Sequence, residues 1–382
     1  MKISILLEAF QPEYWGGRET RWLKIIEELS KNHEVTIFGD FSRTRPEVAF
    51  PNMQLRAVNI GPLPEMYDPG GSRSIKHAFM YTFQARKVVG IEADILLTDQ
   101  TPLISMPLVR IYALLNRSKF SVVWHELWDL STWRSYSKKL ALLGIAVQSI
   151  AIMFSDNIVV PSERVYSEFK SRFKRKKVTV IKNGFDLMLM SSELSVIRAT
   201  DQASVKLLYV GRLISHKNCD FLLQLMSTAS KVGKSWKLTI VGSGPMLEEL
   251  HRMSKTENLD QEVEFFQNID VLTLNRLYNE SDVFVFPSER EGYGISVAEA
   301  LTHNLPVVVY DVTPNASADL VTEEVLGIKV SCLEPEAWID AIEKLSILKS
   351  NKISAKFHES QSTWAEISKK YEYFLMGLIR RS

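Results

Sequence analysis

Glu291 and Glu299 stand with seven residues between them, in the stretch EREGYGISVAEAL. Gly292 and Gly294 lie between them and let backbone approach a ligand closely. A helical pattern runs from Ile295 to about His303, and the amides at its start, on Ile295 and Ser296, favour an anion such as a phosphate. A loop carboxylate and a helix carboxylate beside one anion site suit hydroxyl groups on sugars attached to that phosphate. An ordinary surface Glu followed by a first-turn Glu is the plainer reading, and the segment alone does not separate the two. Its setting is informative. The apolar run Val283–Phe286 stops at Pro287, and a second run, Val307–Tyr310, follows Pro306. Strand, loop, helix and strand form the unit of a parallel sheet, where ligands bind at the carboxyl ends of strands.

A second candidate is Gly211-Arg212-Leu213-Ile214-Ser215-His216-Lys217, directly after the apolar run Lys206–Val210. Two cations beside a glycine turn suit a diphosphate, Arg by its fork and Lys as a point charge. His125 follows another strand pattern, Phe120–Trp124; a lone His is more often structural than catalytic. Gly16-Gly17 closes a loop before a helix with apolar residues at Trp22, Ile25, Ile26 and Leu29. Gly242-Ser243-Gly244-Pro245 resembles part of a dinucleotide fingerprint, but Leu247 stands where the third glycine belongs. No D-x-D pair occurs, so the sequence offers no such carboxylate pair to hold a divalent ion on a diphosphate.

The elements that must position these groups read as two alternating α/β sets. Ile3–Leu7, Val35–Phe38, Ile95–Thr98, Phe120–Trp124, Asn157–Val160 and Val178–Ile181 are strand patterns in the first. Lys206–Val210, Leu238–Val241, Val263–Phe266, Val283–Phe286, Val307–Tyr310 and Gly327–Val330 are strand patterns in the second. Pro46–Ser74, rich in Pro and Gly, is expected to be an irregular surface region, and Met190–Ser204 an interdomain linker. A length of 382 residues accommodates two domains. A net charge of +1 gives no general attraction to nucleic acid. Cys219 and Cys332, the only cysteines, form no disulfide framework and fit a reducing, cytoplasmic compartment. Leu140–Phe154 is too short for a membrane span, which takes ~20 residues. A buried helix is expected there, with an interfacial helix as the second reading. Lys170–Lys177 holds six cations in eight residues. It reads as a solvated face first, and second as a peripheral contact with the inner face of a membrane, shared with the 140–154 helix. Trp15, Trp124, Trp128 and Trp133 could stack on sugar rings, lie against lipid or belong to the core.

Taken together, EGYGISVAEAL with the following PVVV, GRLISHKN, GSGP, NGFD (Asn183–Asp186), the GG loop and His125 resemble the group 1 (family 4) retaining glycosyltransferases. The resemblance implies an α/β fold of the GT-B type: two Rossmann-like, doubly wound domains facing a cleft. It places an acceptor-side domain at 1–198, a nucleotide-sugar-binding domain at 203–364, and a terminal helix at 365–382 that packs back on the first domain. It implies transfer of a sugar from a nucleotide diphosphate sugar to a hydroxyl of a glycan, glycolipid or polyprenyl-linked saccharide. Cofactor and metal are expected to be absent. Arg212 and Lys217 would stabilise the leaving diphosphate, and Glu291 would hold donor-sugar hydroxyls. Glu299 would hold the ribose, and His125 would touch the sugar from the opposite domain. Donor contacts are also expected from Gly16, Gly17, Gly211, Gly292, Tyr293, Gly294, Ile295 and Ser296. The chain departs from the family in two places. Gln267 stands where a Gly is usual near the base. TPNASADLV replaces a Gly-Gly turn and its following Glu, with Asp319 as the candidate substitute. A nucleotide-sugar epimerase of the same fold and a non-catalytic sugar-nucleotide binder are the rival readings.

Overall fold

A computed structural model describes residues 1–12, 16–67, 73–136, 138–186, 204–347 and 352–380. The chain divides into two compact units. Unit 1 is Met1–Gly184 with Trp364–Ser382, and unit 2 is Phe185–Thr363. Most of the expected Met190–Ser204 linker, and both sequence boundaries at 198 and 203, lie outside the described residues, as does Trp15.

Unit 1 contains a seven-stranded parallel sheet. Its strands are β1 (Lys2–Leu6), β2 (Glu34–Gly39), β3 (Arg56–Asn59), β4 (Ile95–Asp99), β5 (Lys119–Val123), β6 (Ile158–Val160) and β7 (Val178–Val180). The order is β3-β2-β1-β4-β5-β6-β7. Strands β1, β4 and β5 are almost wholly buried, which is why they read as continuous Ile/Leu/Val runs rather than as alternations. The Gly17–Leu29 helix buries Trp22, Ile25, Ile26 and Leu29 at the helical spacing. It packs against the terminal Trp364–Arg380 helix, which belongs to this unit.

Two expectations are corrected here. Pro46–Ser74 is not simply irregular surface, because β3 pairs with β2 in register Thr36↔Arg56 to Gly39↔Asn59. Ile60, Leu63 and Met66 beyond it are buried. An edge strand reading RAVN, half exposed and four residues long, carries no hydrophobic period to detect. The Ala141–Phe154 helix is not a buried helix either. It buries Gly144, Gln148, Ala151 and Ile152, but Leu142 is 74% and Met153 68% exposed.

Unit 2 contains a six-stranded parallel sheet built from β8 (Val205–Val210), β9 (Trp236–Val241), β10 (Val263–Phe266), β11 (Val283–Phe286), β12 (Val307–Tyr310) and β13 (Gly327–Val330). Its order is β10-β9-β8-β11-β12-β13. In each sheet the order reverses beside the first strand, between β1 and β4 and between β8 and β11. Such switch points open a crevice at the carboxyl ends of the strands. The Arg212–Lys217 loop leaves β8, and the Pro287–Gly294 loop leaves β11.

Candidate functional site

In unit 2 the two loops are bound to each other. Asn218, at φ +50°, donates from its side-chain amide to the Pro287 carbonyl at 3.0 Å. The Glu289 amide donates to the His216 carbonyl at 2.8 Å. Lys217 Nζ then forms an ion pair with Glu291, both side chains being largely buried. The residues expected to hold a diphosphate and a sugar therefore meet as cation and carboxylate. Lys217 Nζ also lies 5.4 Å from the Phe286 ring centroid.

Glycine sets the backbone around this pair. Gly294 sits at φ +95° as the cap of the Ile295–Thr302 helix, and a Cβ there would lie 2.4 Å from the Ser317 Cβ. No other residue fits both the angle and the space. The GSGP turn packs on the Gly211–Leu213 backbone: Leu213 N donates to Ser243 O at 2.9 Å and Met246 N to Leu213 O at 3.1 Å. Its glycines admit that approach, which accounts for the partial dinucleotide pattern without a dinucleotide. Tyr293 is buried in the core, so what it offers a ligand is its amide. The same holds for Ile295, which packs against that core, while Ser296 is half-buried in the same first turn.

The divergent TPNASADLV segment is held by Asn315, which is fully buried. Its amide nitrogen donates to the Ser288 carbonyl at 2.9 Å and the Tyr310 carbonyl at 2.7 Å, and its oxygen accepts from Ser317 N and Oγ. Glu291 N donates to Pro314 O, and Ala316 N to Glu291 O, so this turn pairs directly with the Glu291 backbone. Asn315 therefore joins the ends of β11 and β12 through its side chain.

Glu299 lies on the Ile295–Thr302 helix and accepts from the Tyr278 hydroxyl at 2.9 Å. Burial pushes its carboxyl up to about 7. The Tyr278 bond offsets part of that rise, and the Asp186 charge adds to it. Tyr278 carried no sequence signal, and Asn315 and Asn218 were seen only as members of longer motifs, since each works through tertiary contacts.

In unit 1, His125 follows β5 and its Nε2 lies 2.7 Å from Asp99 Oδ1 at the end of β4. Gly16 caps the Gly17–Leu29 helix in extended backbone. Beside them is a buried network that the sequence did not reveal. Glu8 accepts from Arg73 Nη1 at 2.5 Å and from the Thr101 hydroxyl at 2.8 Å, and Arg18 donates to Thr101. Arg18 also pairs with Glu19 at 2.9 Å and Asp99 at 3.5 Å. Burial alone would raise both carboxyls. Arg73 and Arg18 outweigh it at Glu8, and His125 followed by Arg18 outweigh it at Asp99, holding each below its usual range. Trp124 is core, stacked edge-on against Phe169, and Trp128 packs edge-on against Trp133 at 4.9 Å.

Two family models match the chain: "Glycosyltransferase Family 4" over residues 15–189 and "Glycosyl transferases group 1" over residues 192–364. The chain belongs to the group 1, family 4 glycosyltransferases. An uncharacterized glycosyltransferase of Haemophilus influenzae is 24% identical over 59% of this chain and 64% of its own length. The capsular polysaccharide biosynthesis glycosyltransferase CapM of Staphylococcus aureus is 30% identical over 44% of this chain and 46% of its own. The chain thus matches about half to just under two thirds of these relatives' length. Among solved structures, Anabaena HepE in complex with UDP and glucose superposes with a TM-score of 0.72 at 18% identity, covering 99% of this chain and 100% of that one. The fold of this glycosyltransferase-family chain is accordingly GT-B.

Proposed function

We propose that the protein transfers a sugar from a nucleotide diphosphate sugar to a hydroxyl of a glycan, glycolipid or polyprenyl-linked saccharide, with the anomeric configuration retained and without a divalent metal. The observation that carries this reading is the Lys217–Glu291 pair at the carboxyl ends of β8 and β11, beside the Gly294 helix start. Lys217, Arg212 and the first amides of the helix supply positive potential where a diphosphate would leave, the kind of fixed stabilisation that usually dominates such catalysis. Glu291 accepts from sugar hydroxyls, and Glu299, steadied by Tyr278, accepts from a ribose diol. Asp99 fixes the ring of His125 through Nε2, leaving Nδ1 as the nitrogen that can meet a hydroxyl. In the transfer the C1–O bond to the diphosphate breaks and a C1–O bond to the acceptor forms on the same face. The acceptor's proton passes to the departing phosphate oxygen. The Asn315 turn restores a defined backbone where the family has two glycines, which weighs against a non-catalytic binder.

The test is to incubate the protein with a panel of nucleotide diphosphate sugars and short saccharide acceptors in excess chelator. Nucleoside diphosphate release is followed, and the product anomer is read by NMR. Turnover with retained configuration is expected. An inverted product would overturn retention, and activity lost to chelator but restored by manganese would overturn metal independence. Donor isomerisation without acceptor would favour an epimerase.

A further inference from the structure

At the opposite edge of the unit 1 sheet from Glu8, Asp99 and His125, the amino ends of β5, β6 and β7 border a cavity of about 1030 Å³. Arg110, Arg117 and Lys119 line one part of it, and Arg172 with Lys174–Lys177 another. Among the described residues that line it, Asp156 is the single carboxylate beside eight cations, and it is paired with Arg110 at 2.6 Å. Lys176 donates to the carbonyls of Met153 and Ser155, at 2.7 and 3.0 Å, fastening the basic loop to the end of the Ala141–Phe154 helix. That helix has no charged residue and exposes Leu142, Ile150 and Met153 along one face. It packs against the Met106–Leu115 helix, which exposes Leu108, Ile111, Leu114 and Leu115. Leu114 also lines the cavity, so the apolar ridge runs directly into the basic hollow.

From this continuity we infer that the face formed by the two helices and the cavity docks on an anionic lipid leaflet, with a headgroup phosphate among the cations and the Leu, Ile and Met side chains in the acyl boundary. An apolar ridge flanked by cations is the pattern of surface-lying membrane contacts, whose apolar face is buried ~5–10 Å deep. A second copy of the chain would bring an equally basic hollow and be repelled. Among the described residues no helix is long and apolar enough to cross a membrane, so the contact is peripheral. Lys176 sits with its ammonium pKa lowered, first by burial and further by Arg110, against the opposing pull of Asp156. A phosphate in the cavity would relieve that.

The experiment is vesicle flotation of the full chain with phosphatidylglycerol–phosphatidylcholine and with phosphatidylcholine alone, at low and high salt. Binding to the anionic vesicles only, weakening steeply with salt, is expected. Lys174→Ala with Arg175→Ala should weaken it about 25-fold, since each cation near such a surface contributes about fivefold. Leu142→Ser with Met153→Ser should weaken it at least tenfold and leave residual, fully salt-sensitive binding. All four side chains are exposed, so melting temperatures should stay at the wild-type value and report folding. Three results would overturn the inference. They are no binding at low salt, binding indifferent to both pairs of changes, or a lipid-free dimer that the Leu142/Met153 changes dissolve.

Discussion

Unit 2 and unit 1 place charged groups at the same part of similar sheets, the carboxyl ends of strands beside the switch point, but they do so by different means. In unit 2 the groups ride on two loops cross-linked by backbone and Asn218, with Gly294 fixing the helix start. In unit 1, Glu8, Arg18, Glu19, Arg73, Asp99 and His125 come from five separate segments and neutralise one another in a buried network. One arrangement is shaped by the backbone and is written locally. The other is shaped by long-range side-chain pairing and leaves no local trace.

The sharpest way to test that contrast is to remove one charge from unit 2. Lys217→Ala should lower kcat by about 10²–10³, the usual cost of one lost donor to developing negative charge. Glu291→Gln should also impair turnover, yet it removes the group that competes with phosphate for Lys217. Calorimetry should show bare nucleoside diphosphate binding to it up to about threefold more tightly, the full release of the ~0.7 kcal/mol scale set by such pairs. Weaker binding would show that Glu291 contacts the nucleotide itself.

A smaller effect, on stability, is expected from Asn315→Ala. It strands the buried Ser288 carbonyl and the half-buried Tyr310 carbonyl and should cost about 2 kcal/mol, or roughly 4–8 °C in Tm. Donor KM should rise with it, because the turn pairs with the Glu291 backbone. An unchanged melt would show that the turn holds itself.

The smallest effects concern pH, and the two units should respond with opposite sign. The Glu299 carboxyl is raised to about 7, so the folded chain keeps a proton that the unfolded chain loses near pH 4.5. This group therefore makes the fold less stable as pH rises from about 4.5 to 7, while its ionised form improves as a ribose acceptor. Nucleoside diphosphate affinity should climb severalfold from pH 6 to 8, and Tyr278→Phe should move the midpoint upward. Glu8 and Asp99 are depressed, so their contribution is present above the usual carboxylate pKa near 4 and is lost as pH falls through their folded values. Thermal melts across pH 3 to 8 would expose both limbs, and a flat titration of nucleotide binding would remove Glu299 from the ribose.

The sequence made most of the scaffold legible. Runs such as Val283–Phe286 and Val307–Tyr310 coincide with β11 and β12 because a parallel strand buried on both faces must be apolar throughout. Gly294 and the GRLISHKN loop were legible for a related reason, since glycine and a cation after a strand are local demands. Strand β3 was not, because an exposed edge strand needs no hydrophobic period. The Ala141–Phe154 helix misled in the other direction. Hydrophobicity shows that a face avoids water but not what covers it, and half of that helix is left uncovered. Asn315 was visible only as a departure from Gly-Gly, and its bonds to Ser288 and Tyr310 exist only once β11 and β12 lie side by side.

If the protein works as proposed, the Lys217–Glu291 ion pair governs which molecules can occupy the site and in what sequence they leave. A lone phosphate takes the lysine and abandons the glutamate, and a free monosaccharide does the reverse, each leaving a largely buried charge without its counterpart. Only a molecule bearing an anion and hydroxyls on one frame answers both halves at once, so the pair acts as a conjunction. After transfer the sugar is gone and the glutamate is again unanswered. It then competes with the spent nucleotide for the lysine, and the site favours its own clearance.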